Sequence, residues 1–130
     1  MPMQVEVVSP QLILYSGEAD MVTARTEAGD IAFLPHHAAF LGALQIHHIK
    51  IVQPGGHELL AAVRGGVVEV SNNRVIILSD EALLPADIDP QQAARDRDEA
   101  EQRLMHEHDA EVEAELRWAH ARLVASGQPT

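Results

Sequence analysis

The sequence contains no cysteine, which excludes disulfides, thiolate metal sites and cysteine nucleophiles together. Aromatic residues are scarce: two Phe, one Tyr and one Trp among 130 residues, too few for a surface that stacks bases or sugars. Cations are also in short supply. Nine Lys and Arg face twenty Asp and Glu, a formal net charge of -11. A chain of that sign repels phosphate backbones, so no nucleic-acid partner is expected. No stretch approaches the ~18 apolar residues of a membrane span. The opening "MPMQVEVVSP" has neither the basic nor the apolar segment of a secretory signal. The expectation is a soluble, cytosolic chain forming one ordinary domain, or one small domain with an appendage.

What is present follows two patterns, dividing the chain into units at residues 1–86 and 87–130. In the first, short apolar runs of period 2 alternate with turn residues. "QVEVV" and "MVTART" alternate, and "VVEV" and "RVIIL" flank "SNN" as the arms of a hairpin. "TEAGD" and "QPGGHE" read as further turns. Strands at this spacing imply an antiparallel sandwich or barrel. Apolar positions are even at Leu44 and Ile46 but odd at Ile49 and Ile51, so a turn or bulge is expected at His47 and His48.

The second unit is expected to be helical. Residues 89–130 hold 15 charged residues in 42, and nothing from residue 91 to residue 126 is Gly or Pro. Asp89 can cap free N–H groups, Pro90 suits the first helical position, and Gln92 stands where a capping-box partner would. Ala93, Ala100 and Leu104 form one apolar stripe, and Val112, Leu116, Ala119 and Leu123 a second. Between them "HEHD" is polar, and Asp109 can cap a new helix. Two antiparallel helices joined near residues 106–109 would bury both stripes. One long helix would leave them open until a partner covered them, and the sequence is compatible with both. "SGQPT" is expected to end the second helix and fray.

Eight histidines (His36, His37, His47, His48, His57, His106, His108 and His120) raise the question of zinc. Neighbouring histidines on a strand point to opposite faces, and His106 and His108 splay on a helix, so solvated or interface roles are expected and no metal. Ser9, Ser16, Ser71 and Ser79 lack the setting of a nucleophile elbow. "VRGGVV" lacks the Lys-Ser/Thr of a phosphate loop, and Gly65-Gly66 in mid-strand marks a bulge or a close backbone approach. The acidic run at residues 107–115 reads as a solvated helix face. The residues themselves describe a non-catalytic β-domain with a helical tail.

Three segments carry a resemblance: "VVSPQLILYSGEADMVTARTEAGDIAFLPHHA", "GGVVEVSNNRVIILSDEA" and "DIDPQQAARDRDEAEQRL". In this order and separation, over roughly residues 3–105, the chain resembles the epsilon subunit of the rotary F-type ATP synthase, of bacterial type. The resemblance implies a flattened antiparallel β-sandwich followed by a two-helix hairpin. It also implies a non-catalytic rotor subunit between the gamma subunit and the c ring, attached peripherally to the cytoplasmic face of the membrane. By the same resemblance Asp30 and His37 match residues that face the c ring. His36 replaces a glycine and Ala39 a proline in that loop. Some relatives bind ATP as a regulatory ligand at the hairpin; Ile88, Asp89 and Ala93 match that motif, Gln92 stands at its arginine position, and Arg95 one turn along is the candidate substitute. Gln92 replaces an arginine, and losing that cation is expected to leave ATP binding weak or absent, with no other cofactor. The tails of such subunits often reach the catalytic beta subunits and restrain hydrolysis. Two rival readings are a free-standing β-sandwich adaptor with a partner-docking hairpin and a small histidine metalloenzyme.

Overall fold

Asn72 and Asn73 both take positive φ, 51° and 58°, the geometry of a two-residue turn whose twist suits the strands it joins. They connect Glu58–Ser71 (β6) to Arg74–Leu78 (β7). The computed structural model describes residues 1–128. The strands before these are Met3–Val8 (β1), Ile13–Ala19 (β2), Met21–Thr26 (β3), Gly29–Phe33 (β4) and Phe40–Val52 (β5), and Ala82–Leu83 (β8) follows. A 3-10 turn at Pro85–Asp87 leads to helices Pro90–Leu104 (α1) and Ala110–Ala125 (α2). The hydrogen-bonded order is β2-β1-β7-β6-β5-β3-β4, with β8 on β6. This band folds over one shared core as a β-sandwich. Pairing is antiparallel except where β1 runs parallel to β7, from Gln4 beside Arg74 to Val8 beside Leu78.

The sandwich closes because its two longest strands change which face points inward. On β5 the core residue Leu44 is followed by Ile49 and Ile51; on β6 Ala61 and Val63 are followed by Val68 and Val70. The expected irregularity at His47 and His48 is therefore a bulge within an unbroken strand. Against β3, the step from Leu44 to Lys50 spans six positions while that from Thr26 to Thr23 spans three. On β6 the switch falls at Gly65 and Gly66, with φ of 76° and 118°. Only glycine fits the second position, because a Cβ there would run into the Leu78 carbonyl.

Each helix starts as the sequence suggests. The Asp89 carboxylate accepts from the N–H groups of Gln91 and Gln92, and that of Asp109 accepts from Glu111. The capping-box role expected of Gln92 is not taken up: its amide donates to Asp96 and accepts from Arg95. Ion pairs of Asp96 with Arg122 and Arg103 with Glu115 make the helices antiparallel. Their facing sides bury Ala93, Ala100, Val112, Ala119 and Leu123, with Leu104 and Leu116 half-buried. A second face of α2 carries Trp118, Ala121 and Ala125, which form a satellite core with Ala62 of β6 and Ile88. The hairpin is thus packed on the sheet as well as on itself. Fraying is not seen through Gln128. Gly127 at φ 82° donates to Val124 and Gln128 donates to Leu123, the paired bonds of a capped helix end. Pro129 and Thr130 lie outside the described residues.

Candidate functional site

The loop after β4 is a tight turn. His37 N–H donates to the Leu34 carbonyl at 3.0 Å, Pro35 occupies the second position, and His36 the third at φ 65°. That is the pattern of a type II turn, whose third position favours glycine. His36 thus keeps the backbone a glycine would adopt, at the strain of a side chain in the left-handed region. The turn is pinned from across the sheet: the Asn73 side-chain oxygen accepts from His36 N–H at 2.9 Å while its amide donates to the Pro2 carbonyl. His36 is exposed and His37 half-buried, its ring edge-on to Phe33 at 5.1 Å. Phe33 also meets Phe40 at 5.4 Å, bracketing the loop with aromatic contacts.

Asp30 lies elsewhere. It is the second residue of β4 while the two histidines follow the strand's end, so most of the strand's length, about 3.3 Å per residue, separates them. The structure does not bring the three together at one point; it strings them along the free edge formed by β4, the last strand of the sheet. Asp30 instead forms a two-pronged pair with Arg25, at 2.7 and 3.3 Å. That hydrogen bond holds its carboxyl below the ordinary carboxylate range.

His47 and His48 were expected to point apart. Their rings lie 4.2 Å apart, tilted by 33°, because the bulge breaks strand alternation at their level. Both line a cavity of about 230 Å³ against α2, together with Arg25, Gln45, Arg117 and His120. Burial holds His47 down to about 4, the neighbouring His48 and Arg25 adding to the shift while Asp30 opposes it. His48 is lowered by the same main cause.

Further round α2, two guanidinium groups lie near the Trp118 ring. Arg64 of β6 lies 5.8 Å and Arg122 5.4 Å from its ring. Arg122 pairs with Asp96 at 3.0 Å and Arg64 with Glu81 at 3.5 Å. The five residues implied in nucleotide binding divide here: Ile88 and Ala93 are buried, Asp89 is engaged as a helix cap, and Gln92 and Arg95 are exposed and bonded to each other. Among the described residues no three metal-ligating side chains converge. The sequence signal for Trp118 was its i, i+3, i+7 spacing to Ala121 and Ala125, masked by the stronger stripe beside it.

Residues 2–85 match the family model of the ATP synthase delta/epsilon chain β-sandwich domain. Among curated relatives, the ATP synthase epsilon chain of Brevibacillus brevis is 41% identical over 106 residues, spanning 82% of this chain and 80% of its own. That of Bordetella petrii is 38% identical over 128 residues, spanning 95% and 91%. A chain in the cryo-EM structure of the Euglena gracilis mitochondrial ATP synthase, OSCP/F1/c-ring, shares the fold with a TM-score of 0.81 at 20% identity, covering 98% of this chain and 82% of that one. A chain of the Tetrahymena thermophila mitochondrial ATP synthase central stalk/c-ring structure has a TM-score of 0.58 at 16% identity, covering 97% of each.

The turn geometry generates a pair of expectations. His36→Gly relieves the left-handed strain and should raise thermal stability by about 1 kcal/mol. Asn73→Ala removes both bonds that pin the turn and should lower it by about 1–2 kcal/mol. Denaturant melts of the two variants check the sign; a loss of stability on His36→Gly would contradict the strained turn.

Proposed function

The chain belongs to the ATP synthase delta/epsilon family, among its epsilon chains, and on that footing we propose that it is a non-catalytic central-stalk subunit that couples gamma to the c ring. The sandwich, residues 1–86, makes both contacts, and the hairpin, residues 87–130, is a regulatory element. Attachment is peripheral, at the cytoplasmic face of the membrane; among the described residues no helix is long and apolar enough to cross one. The proton-driven synthesis of ATP from ADP and phosphate is then the work of the assembled complex.

The observation that carries the gamma contact is an uncovered apolar row on the outer face of the sheet. Val8, Leu78, Val67 and Ala43 are lateral neighbours across β1, β7, β6 and β5, and Leu41 on the same face of β5 is 72% exposed. The row continues into a largely apolar groove of about 450 Å³ lined by Val8, Pro10, Gly66, Val67 and Leu78, with Arg64, Asp80 and two serines also in its wall. A contiguous surface of this kind marks a protein interface. For the c-ring contact we propose the β4 edge, with Asp30 near one end and His36 and His37 at the other. This supports a stalk subunit over a free-standing adaptor, since two separate surfaces are available for two partners.

Regulation by the hairpin is expected to be weak. ATP binding lacks the arginine at position 92, and Gln92 is already held by Arg95 and Asp96. In such relatives the tail extends toward an acidic loop of the catalytic beta subunits; here extension would expose Trp118, Ala121 and Ala125 along with the stripe buried between the helices, each large apolar side chain costing about 1.5–3 kcal/mol unless recovered. It would also present Glu107, Asp109, Glu111, Glu113 and Glu115 to like charge.

Three measurements follow. Coexpression with gamma, beta and c subunits should yield a complex retaining this chain, and Val67→Glu with Leu78→Glu should release it from gamma without unfolding it; retention of the doubly charged variant would misplace the interface. Calorimetric titration of ATP onto the isolated chain should give no saturable heat at micromolar nucleotide. Deleting residues 89–130 from assembled F1 should leave ATP hydrolysis within about twofold, a barrier change below ~0.5 kcal/mol. A large rise in rate would show that the tail inhibits despite its charge.

A further inference from the structure

In a chain whose carboxylates outnumber its cations by eleven, the cavity between the β5 bulge and α2 is lined by Arg25, His47, His48, Arg117, His120 and Gln45, with no carboxylate in its wall. We propose that this cavity binds a small inorganic oxyanion of the phosphate or sulfate type, and that the bound ion pins the hairpin to the sheet.

Four observations converge on an anion. Arg117 has no side-chain partner among the described residues, whereas every other Lys or Arg has one. His120 Nε2 is buried without a hydrogen-bond partner; in the tautomer that carries its proton there, it is a donor lacking an acceptor, a costly state that an oxyanion relieves. Arg25, a lining residue, uses Nε and Nη2 on Asp30, which leaves Nη1 uncommitted to that pair. Histidine rings and guanidinium groups thus reach the cavity from β3, β5 and α2, so an ion held by them bridges sheet and hairpin. The volume, about 230 Å³, falls below the ~300–1,000 Å³ typical of sites for larger organic ligands, which favours a free ion over a nucleotide phosphate.

Proton linkage gives the site a direction. The charged groups facing His47 and His48 are Arg25 on β3, Asp30 on β4, Lys50 on β5 and Arg117 on α2, with His120 of α2 as a further titratable neighbour. Burial, with Arg25 and Lys50 adding to it and Asp30 opposing, favours neutral rings. Their lowered pKa values mean that the stability these neutral rings give the folded chain is full above the ordinary histidine value of 6.5 and is lost as pH falls toward about 4. A bound dianion reverses the balance, since each ring that takes up a proton gains an attraction. Anion affinity therefore rises as pH falls.

The test uses the isolated full-length chain at constant ionic strength in chloride, with Trp118, the only tryptophan, as a fluorescent reporter on α2. Sodium sulfate, whose charge is constant over the range, and sodium phosphate are the probes. The expected result is a saturable fluorescence change and a rise in Tm in the millimolar range, with sulfate affinity increasing from about pH 7.5 to about 5.5. Arg117→Gln, a change at an exposed position, should weaken sulfate about tenfold, and His47→Gln should flatten the pH dependence. A response matched by chloride, unaltered in Arg117→Gln, or weakening as pH falls would overturn the proposal. So would ATP binding more tightly than sulfate and surviving Arg117→Gln, which would locate the anion elsewhere. Because the chain is assayed alone, a negative result bears on the cavity and not on assembly with gamma.

Discussion

A strand offers one face to a core and the other to whatever lies outside, and β5 and β6 reverse that assignment partway along their length. The reversal falls between Leu44 and Ile49 on one strand and at Gly65 and Gly66 on its neighbour, where Gly66 pairs with Leu44 while His47 and His48 pair with Val63 and Ala62 further along. If either strand kept its alternation, half of its branched residues would face water. Their joint reversal lets one continuous band wrap Phe33, Val63 and Ile77 into a single core. It also leaves Ala62 buried on the opposite side, between Ala61 and Val63 that face inward. That small outward residue is the floor on which Trp118 rests.

The hairpin depends on this floor. Its facing stripes join α1 to α2, but the attachment to the sandwich comes from the other side of α2, where Trp118, Ala121 and Ala125 meet Ala62 and Ile88. Arg64 from the sheet and Arg122 from the helix lie against the same indole, so the polar rim of the contact is fixed by the apolar center. The acidic first turn of α2 stays clear of it: Glu111 and Glu113 are exposed and favour the positive end of the helix dipole. Charge is thereby segregated toward the outer end of the hairpin and apolar surface toward the sheet.

Much of this was legible from residue patterns. Asn72-Asn73 marked a hairpin, Asp89 and Asp109 marked helix starts, and the parity change before Ile49 located the bulge, because each is a local rule acting within a few residues. The resemblance in three ordered segments carried the architecture. What stayed hidden depends on contacts distant in sequence. Alternation predicts that His47 and His48 splay, and only the offset against β3 brings the rings together. The spacing of Trp118, Ala121 and Ala125 was visible, but nothing local says that a helix has two buried faces rather than one. Asp30 and His37 sit close in sequence, and their separation in space follows from the extended strand between them.

The parallel pairing of β1 with β7 has a consequence in time. β1 can form its hairpin with β2 as soon as residue 19 exists, yet its other edge stays open until Arg74–Leu78 has been made. At roughly 5–20 residues per second of synthesis, the buried row of Met3, Val5 and Val7 waits several seconds for the strand that covers it. Closing that long loop is an entropic step that local pairing cannot shorten, and such topologies fold slowly. The Asn73 side chain, bonded to Pro2 at the start of the chain and to His36 midway along it, is therefore among the last parts of the sandwich to arrive and ties its earliest residues in place.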